Sequence, residues 1–188
     1  ETLPAGWSAS GPVTCSNGSP ATNIQLTAGQ TVMCVFINLK QNTIVVEKRT
    51  EGGDGTFAFT STPLGPFALT TSNGVASQAF TANAGQPYSI SETPQPGWDL
   101  TSATCDNGQT PANISLSTGD TVKCTFNNAK RGSLVIAKWI IGTQDASFAF
   151  SSSTLTPNAF SLTTTDGFAQ QIFSDLKPGT YDATEAAT

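Results

Sequence analysis

The feature that most restricts this chain is that it repeats itself. Residues 7–38 read WSASGPVTCSNGSPATNIQLTAGQTVMCVFIN, and residues 98–128 read WDLTSATCDNGQTPANISLSTGDTVKCTFNN. Cys15 and Cys34 fall on Cys105 and Cys124 with the same spacing. A second stretch also recurs. TIVVEK (43–48) returns as SLVIAK (133–138), GTFAF (55–59) as ASFAF (146–150), and FALTT (67–71) as FSLTT (160–164). Tyr88 and Glu92 return as Tyr181 and Glu185. The offsets run from 90 to 93 residues, so the period is about 91.

The frame of the repeat divides the chain unevenly. Residues 43–129 make one complete unit, 1–39 the C-terminal part of a unit, and 133–188 the N-terminal part of another. Joining Thr188 to Glu1 would write YDATEAATETLPAGW, which resembles YSISETPQPGW (88–98) with a short insertion. The expectation is a two-unit period of a tandem array, processed or cut from something longer, since the chain starts at Glu1 and not Met. The connections LKQN (39–42) and AKRG (129–132) are short, which restricts the orientation of neighbouring units.

Alternation identifies strands. Ile44, Val46 and Lys48 share one face, as do Leu134, Ile136 and Lys138. Val122, Cys124, Phe126 and Asn128 align in 121–128, and Val32, Cys34, Phe36 and Asn38 in 31–38. Tyr88 and Ile90 align with Glu92. Turn signals such as GGDG (52–55), SNG (72–74), PQPG (94–97) and DNG (106–108) separate these runs. Ser and Thr supply 48 of 188 residues, a bias toward strand and turn over helix. Each unit therefore holds about seven short strands, and the expected fold class is all-β, tandem β-sandwiches with essentially no helix.

Each cysteine pair lies within one unit, so disulfides are expected between Cys15 and Cys34 and between Cys105 and Cys124. Each would close about twenty residues and contribute about 3 kcal/mol. A zinc site is disfavoured, because two separated cysteines without His or CxxC do not make a tetrahedral set. An even number of cysteines in a polar, Thr-rich chain fits an oxidising compartment.

The alternation also places Lys48, Glu92 and Asn128 on apolar, inward faces near strand ends. A buried lysine is costly unless paired or neutral. A first strand ending in Lys, a YSISETPQPGW box and a last strand ending in FNN together resemble the prealbumin-like, collagen-adhesin B-type (SpaA-like) repeat domains of microbial surface proteins. The resemblance spans the whole chain, and the box at 88–98 is its most specific piece. It implies that Lys48 attacks the Asn128 carboxamide to give an isopeptide bond, with Glu92 as proton shuttle and one ammonia lost. For the adjoining unit it implies Lys138 and Glu185, with Asn38 as the electrophile and Glu185 preferred to Glu1 as the acid. The alternative is that these groups simply hydrogen-bond, or that Lys48 snorkels to solvent.

Several function classes are excluded or weakened. Histidine is absent, which removes the commonest general base and metal ligand. With no G-x-S-x-G either, no turnover enzyme is expected, nor any cofactor or metal. A net charge of −5 with eight Lys and Arg argues against nucleic acid. No apolar run is long enough for a membrane span. GGDG (52–55) lacks the spaced carboxylates of a calcium loop and reads as a turn. Asn17 and Asn113 stand in N-glycosylation sequons. Trp7, Trp98 and Trp139 read as packing residues, with sugar stacking as the alternative. The expected function is a segment of an extracellular, cell-surface stalk or fibre. Its partners are neighbouring copies that are covalently continuous or complete half-domains in trans. The alternative is an adhesin module binding protein or glycan through loops at one end.

Overall fold

The structure, a computed structural model, describes residues 1–142 and 144–187. Its first part holds β1 (Trp7–Ala9) and β2 (Asn38–Lys40), paired antiparallel. The middle part holds β3 (Asn42–Glu51), β4 (Thr56–Thr62), β5 (Phe67–Thr70), β6 (Val75–Ala82), β7 (Ser89–Glu92), β8 (Trp98–Cys105) and β9 (Thr121–Lys130). The last part holds β10 (Gly132–Trp139), β11 (Ser147–Ser151), β12 (Ala159–Thr163), β13 (Phe168–Leu176) and β14 (Thr184–Glu185). No helix occurs among the described residues.

The seven middle strands build a sandwich of two sheets, ordered β6-β3-β9-β8 and β5-β4-β7. Ile44, Val46, Val122 and Phe126 from the first sheet meet Phe57, Phe59, Leu69 and Ile90 from the second in one buried cluster. Phe59 and Phe126 touch edge to face across the layers, with centroids 5.1 Å apart. The alternation seen in the sequence is literal here: along β3, every second residue from Asn42 to Lys48 is buried.

Strands β3 and β9 come first and last in the sandwich, yet they are parallel neighbours, paired from Thr43↔Thr121 to Glu51↔Ala129. The chain therefore enters at one end of this pair and leaves at the other, about 30 Å away at the rise of a strand. This relationship sets the direction of the whole chain through the sandwich.

Turn chemistry fixes the ends. Asn73 and Gly74 both have positive φ between β5 and β6, the conformation an Asn-Gly turn supplies. A Cβ at Gly74 would stand 2.9 Å from the Thr50 carbonyl oxygen. Asp54, in the GGDG segment, accepts hydrogen bonds from the Asn73 and Gly74 backbone N–H groups at 3.0 and 2.7 Å. The repeat keeps this device, with Asp145 accepting from Asp166 and Gly167.

Two sequence expectations are corrected. The four-residue connections LKQN and AKRG are largely strand, and only Gln41 and Arg131 lie between β2 and β3 and between β9 and β10. The backbone pairing simply runs on to the joints. Second, 31–38 does not form a continuous strand: only an isolated bridge at Cys34 and the short β2 appear. The identical pattern at 121–128 is a strand because β3 and β8 flank it. Among the described residues the first part pairs only β1 with β2, and half-paired strands are marginal in water.

In the last part, β10 pairs with β13, and β12-β11-β14 form a second small sheet. Phe160 of one packs edge-on against Phe173 of the other. The architecture is all-β throughout, consistent with tandem β-sandwiches.

Candidate functional site

Lys48, Glu92 and Asn128 meet inside the middle sandwich. β3 aims Lys48 inward as the fourth residue of its buried row, and its side chain is fully covered. β9 brings Asn128 alongside through the parallel register, and β7 brings Glu92 across from the opposite sheet. The Lys48 Nζ donates to Asn128 Oδ1 at 2.5 Å and to the Phe126 carbonyl oxygen at 3.3 Å. It also pairs with Glu92 Oε2 at 3.0 Å. Asn128 Nδ2 donates to Glu92 Oε1 at 2.5 Å. One carboxylate thus touches both nitrogens, one oxygen to each.

Burial holds the Lys48 ammonium below the ordinary lysine range, and it outweighs the hydrogen bond and charge of Glu92, which act the other way. The Phe57 ring lies under Nζ, 4.4 Å from its centroid. Phe57 and the Phe126 carbonyl escaped the sequence reading, although the recurring FAF segment signalled a ring at this place in both repeats. The arrangement sets an amine, an amide and an acid in mutual contact, screened from water. Its chemical capacity is acyl transfer from the amide to the amine.

The other three residues named from the sequence fall in two separate places. Lys138 pairs with both Glu185 oxygens at 2.8 and 3.0 Å, and its Nζ lies 4.2 Å from the Phe148 ring centroid. Asn38 is elsewhere, its Nδ2 donating to Glu1 Oε1 at 2.5 Å. Glu1 opens an ETLPAGW segment that aligns with ETPQPGW at Glu92, so the Asn38–Glu1 contact repeats the Asn128–Glu92 contact. The resemblance implies Glu185 in preference to Glu1; alignment on the tryptophan is the signal that also identifies Glu1.

Two disulfides are formed, Cys15–Cys34 and Cys105–Cys124, and no cysteine is free among the described residues. Cys105 and Cys124 face each other across β8 and β9. Of the tryptophans, Trp98 packs edge to face on Phe57, while Trp7 and Trp139 are exposed. Asn113 is exposed, and Asn17 Nδ2 donates to the Gln25 carbonyl. No cluster of metal-binding side chains occurs among the described residues. No helix among them is long and apolar enough to cross a membrane.

No curated protein matches this sequence. Among solved structures, the chain is similar to the Bacillus anthracis TIE protein, at 16% identity and a TM-score of 0.35. The alignment covers 99% of this chain and 44% of that one, so this chain spans less than half its length. Residues 44–130 match the family described as a prealbumin-like fold domain.

Proposed function

We propose that this chain is a load-bearing segment of an extracellular surface stalk or fibre, built from tandem sandwiches. The units divide near 39–43 and 129–133, with 43–129 complete and 1–39 and 133–188 partial. The observation that carries this reading is the parallel pairing of β3 with β9. A chain pulled from its two ends loads the nine paired positions of these strands together, in shear, and does not unzip them one at a time. Arg131 alone separates β9 from β10, so tension passes directly into the following strands. Two disulfides fit an oxidising exterior, and the family of residues 44–130 fits a surface module.

In this reading the buried triad is a covalent staple. The uncharged Lys48 amine adds to Asn128 Cγ, and the Cγ–Nδ2 bond breaks. Glu92 takes the proton shed by Nζ and delivers it to Nδ2, which leaves as ammonia. The reaction runs once and needs no other reactant. The contact of Glu92 with both nitrogens supports this role. The staple joins the first strand to the last and diverts tension around everything between.

Stretching single molecules between their termini tests the reading. About sixty residues between Lys48 and Asn128 lie outside the disulfide loop, worth roughly 200 Å when extended. The Lys48→Met protein is expected to release that length as the middle sandwich opens, and the unaltered protein to withhold it. Equal release from both would overturn the stapled-stalk reading.

A further inference from the structure

Strand β8 faces the core from both of its halves, and a regular strand cannot do this. Trp98 packs on the buried cluster near one end and Ala103 near the other. Cys105, beyond Ala103, is buried too. Trp98 and Ala103 are an odd number of residues apart, and a side-chain period of two would put them on opposite faces. The register shows how both turn inward. Leu100 stands opposite Asn128 and Ala103 opposite Phe126, so three steps on β8 answer two on β9. Thr101 is the extra residue, a β-bulge that reverses the facing of the strand before it.

The bulge lies beside the amide of the buried triad. Thr101 Oγ1 donates to the Asn127 carbonyl oxygen at 3.0 Å, and Asn127 Nδ2 donates to Ser102 Oγ at 2.7 Å. These bonds fasten the bulge to the residue next to Asn128. On the other side of β9, the register with β3 runs unbroken through Asn127 and Asn128. The irregularity therefore falls on β8 alone.

The inversion delivers Trp98 to the site. Its ring meets Phe57 edge to face, with centroids 5.2 Å apart, and Phe57 lies under Lys48 Nζ. Gly55 backs both rings, where a Cβ would stand 3.2 Å from Phe57 and 3.3 Å from Trp98. Trp98 also lines a pocket of about 290 Å³ with Glu92, Leu100 and Asn128. Glu92 of β7 is the charged group that meets Nζ. Strands β4, β6 and β9 present Phe57, Ala76 and Asn128 to Lys48, none of them charged. Asp99 and Arg131, which line the same pocket, pair with each other, and Lys130 Nζ lies 5.8 Å from the Trp98 ring.

We infer that the Thr101 bulge is a positioning device for the acyl-transfer site: it turns Trp98 inward, and Trp98 holds Phe57 against Lys48 Nζ and keeps water from the amine. Trp98 is thus a positioning residue that acts through Phe57. The inference rests on the stapled-stalk reading for the reaction this site performs.

NMR titration of the lysine Cε resonances tests this in Asn128→Ala, where no staple can form and Lys48 stays titratable. Burial lowers the Lys48 midpoint. Adding Trp98→Leu is expected to raise it by about 1 pH unit, as water reaches the amine. Deleting Thr101 instead returns β8 to a period of two. The Cys105–Cys124 disulfide holds the far half of the strand, so Trp98 turns outward and the midpoint is again expected to rise. Trp98→Phe keeps a ring against Phe57 and is expected to leave the midpoint near that of Asn128→Ala. A midpoint unmoved by Trp98→Leu or by the deletion, or raised as far by Trp98→Phe, would overturn the inference. The methyl resonances of Ile44, Val46 and Ile90 show in the same samples whether the sandwich is folded. Where either variant unfolds it, Gly55→Ala decides, since its added Cβ displaces both rings with every buried side chain retained. Its midpoint is expected to rise, and an unmoved one overturns the inference. Loss of one ammonia from chains that keep Asn128, followed by intact mass, reports separately on the stapled-stalk reading. An unaltered chain that loses none would overturn that reading, while the Lys48 midpoints still decide this one.

Discussion

Lys48 and Asn128 stand 80 positions apart in the sequence and within one hydrogen bond of each other in the fold, on adjacent parallel strands. Lys48 is fully buried with one counter-charge, Glu92. Changing Glu92 to Gln removes that charge and the proton carrier together. The expected result is loss of the staple and destabilisation of roughly 3 kcal/mol or more, the cost of leaving a buried charge uncompensated. Urea denaturation against the unaltered protein measures it. An unchanged midpoint would mean that Glu92 carries neither role.

The lysine also predicts a pH dependence. Its folded-state value lies below that of the unfolded chain, so between the two values the unfolded chain binds more protons. Before the staple forms, stability should therefore rise with pH through that window and fall as pH drops toward the lowered value. The Asn128→Ala protein, which cannot form the staple and adds no charge, denatured in urea at a series of pH values, gives the slope after comparison with Lys48→Met in the same background. A slope of opposite sign would show that the Glu92 charge, not burial, governs Lys48.

Much of this site was legible because alternation survives in the sequence wherever a strand is buried on one face. Ile44, Val46 and Lys48 announce a common face, and the structure buries all three. What alternation could not reveal was whether a strand would find its neighbours. Residues 31–38 and 121–128 carry the same pattern, but only the second has a strand on each side. The joints depart from the four-residue links expected of them for a related reason. Asn42, read as linker, is buried and accepts from the Gly119 and Asp120 backbone N–H groups, which pins the start of β3 to the turn before β9. Long-range contacts of that kind leave no local mark.

The disulfides give a second stability prediction. Cys105–Cys124 closes a loop of 19 residues between the last two strands of the sandwich. Replacing both cysteines with Ala should lower stability by about 3 kcal/mol, read as a fall in the urea midpoint. A change below about 0.5 kcal/mol would show that the parallel β3–β9 pair holds this loop without help.

Asp182 ties the last part together at low cost. It accepts hydrogen bonds from the backbone N–H and hydroxyl of Ser153 and from the Thr154 hydroxyl. These hold its carboxyl down to about 2. The contribution is present above the ordinary aspartate value and is lost as pH falls through about 2. Amide exchange at residues 152–155 should accelerate across that fall, and in Asp182→Asn it should be fast throughout. Exchange that ignores both changes would show that Asp182 does not hold residues 152–155.

The two joints differ in a way that can be measured. Arg131 donates to Asp99 on one side and to Asp175 on the other, at 2.7 to 2.9 Å. Gln41 occupies the equivalent position in the first joint. Arg131→Gln should broaden the distance distribution across the second joint in small-angle scattering, with loss of its salt sensitivity. An unaltered distribution would assign the orientation to strand continuity alone.

A covalent staple inside the middle sandwich would be read directly in the intact mass of the denatured, unreduced chain. The expected mass is one ammonia below that of the sequence with its two disulfides. The deficit should vanish in Lys48→Met and in Glu92→Gln. A mass equal to that of the sequence with two disulfides, measured on fully folded protein, would contradict it.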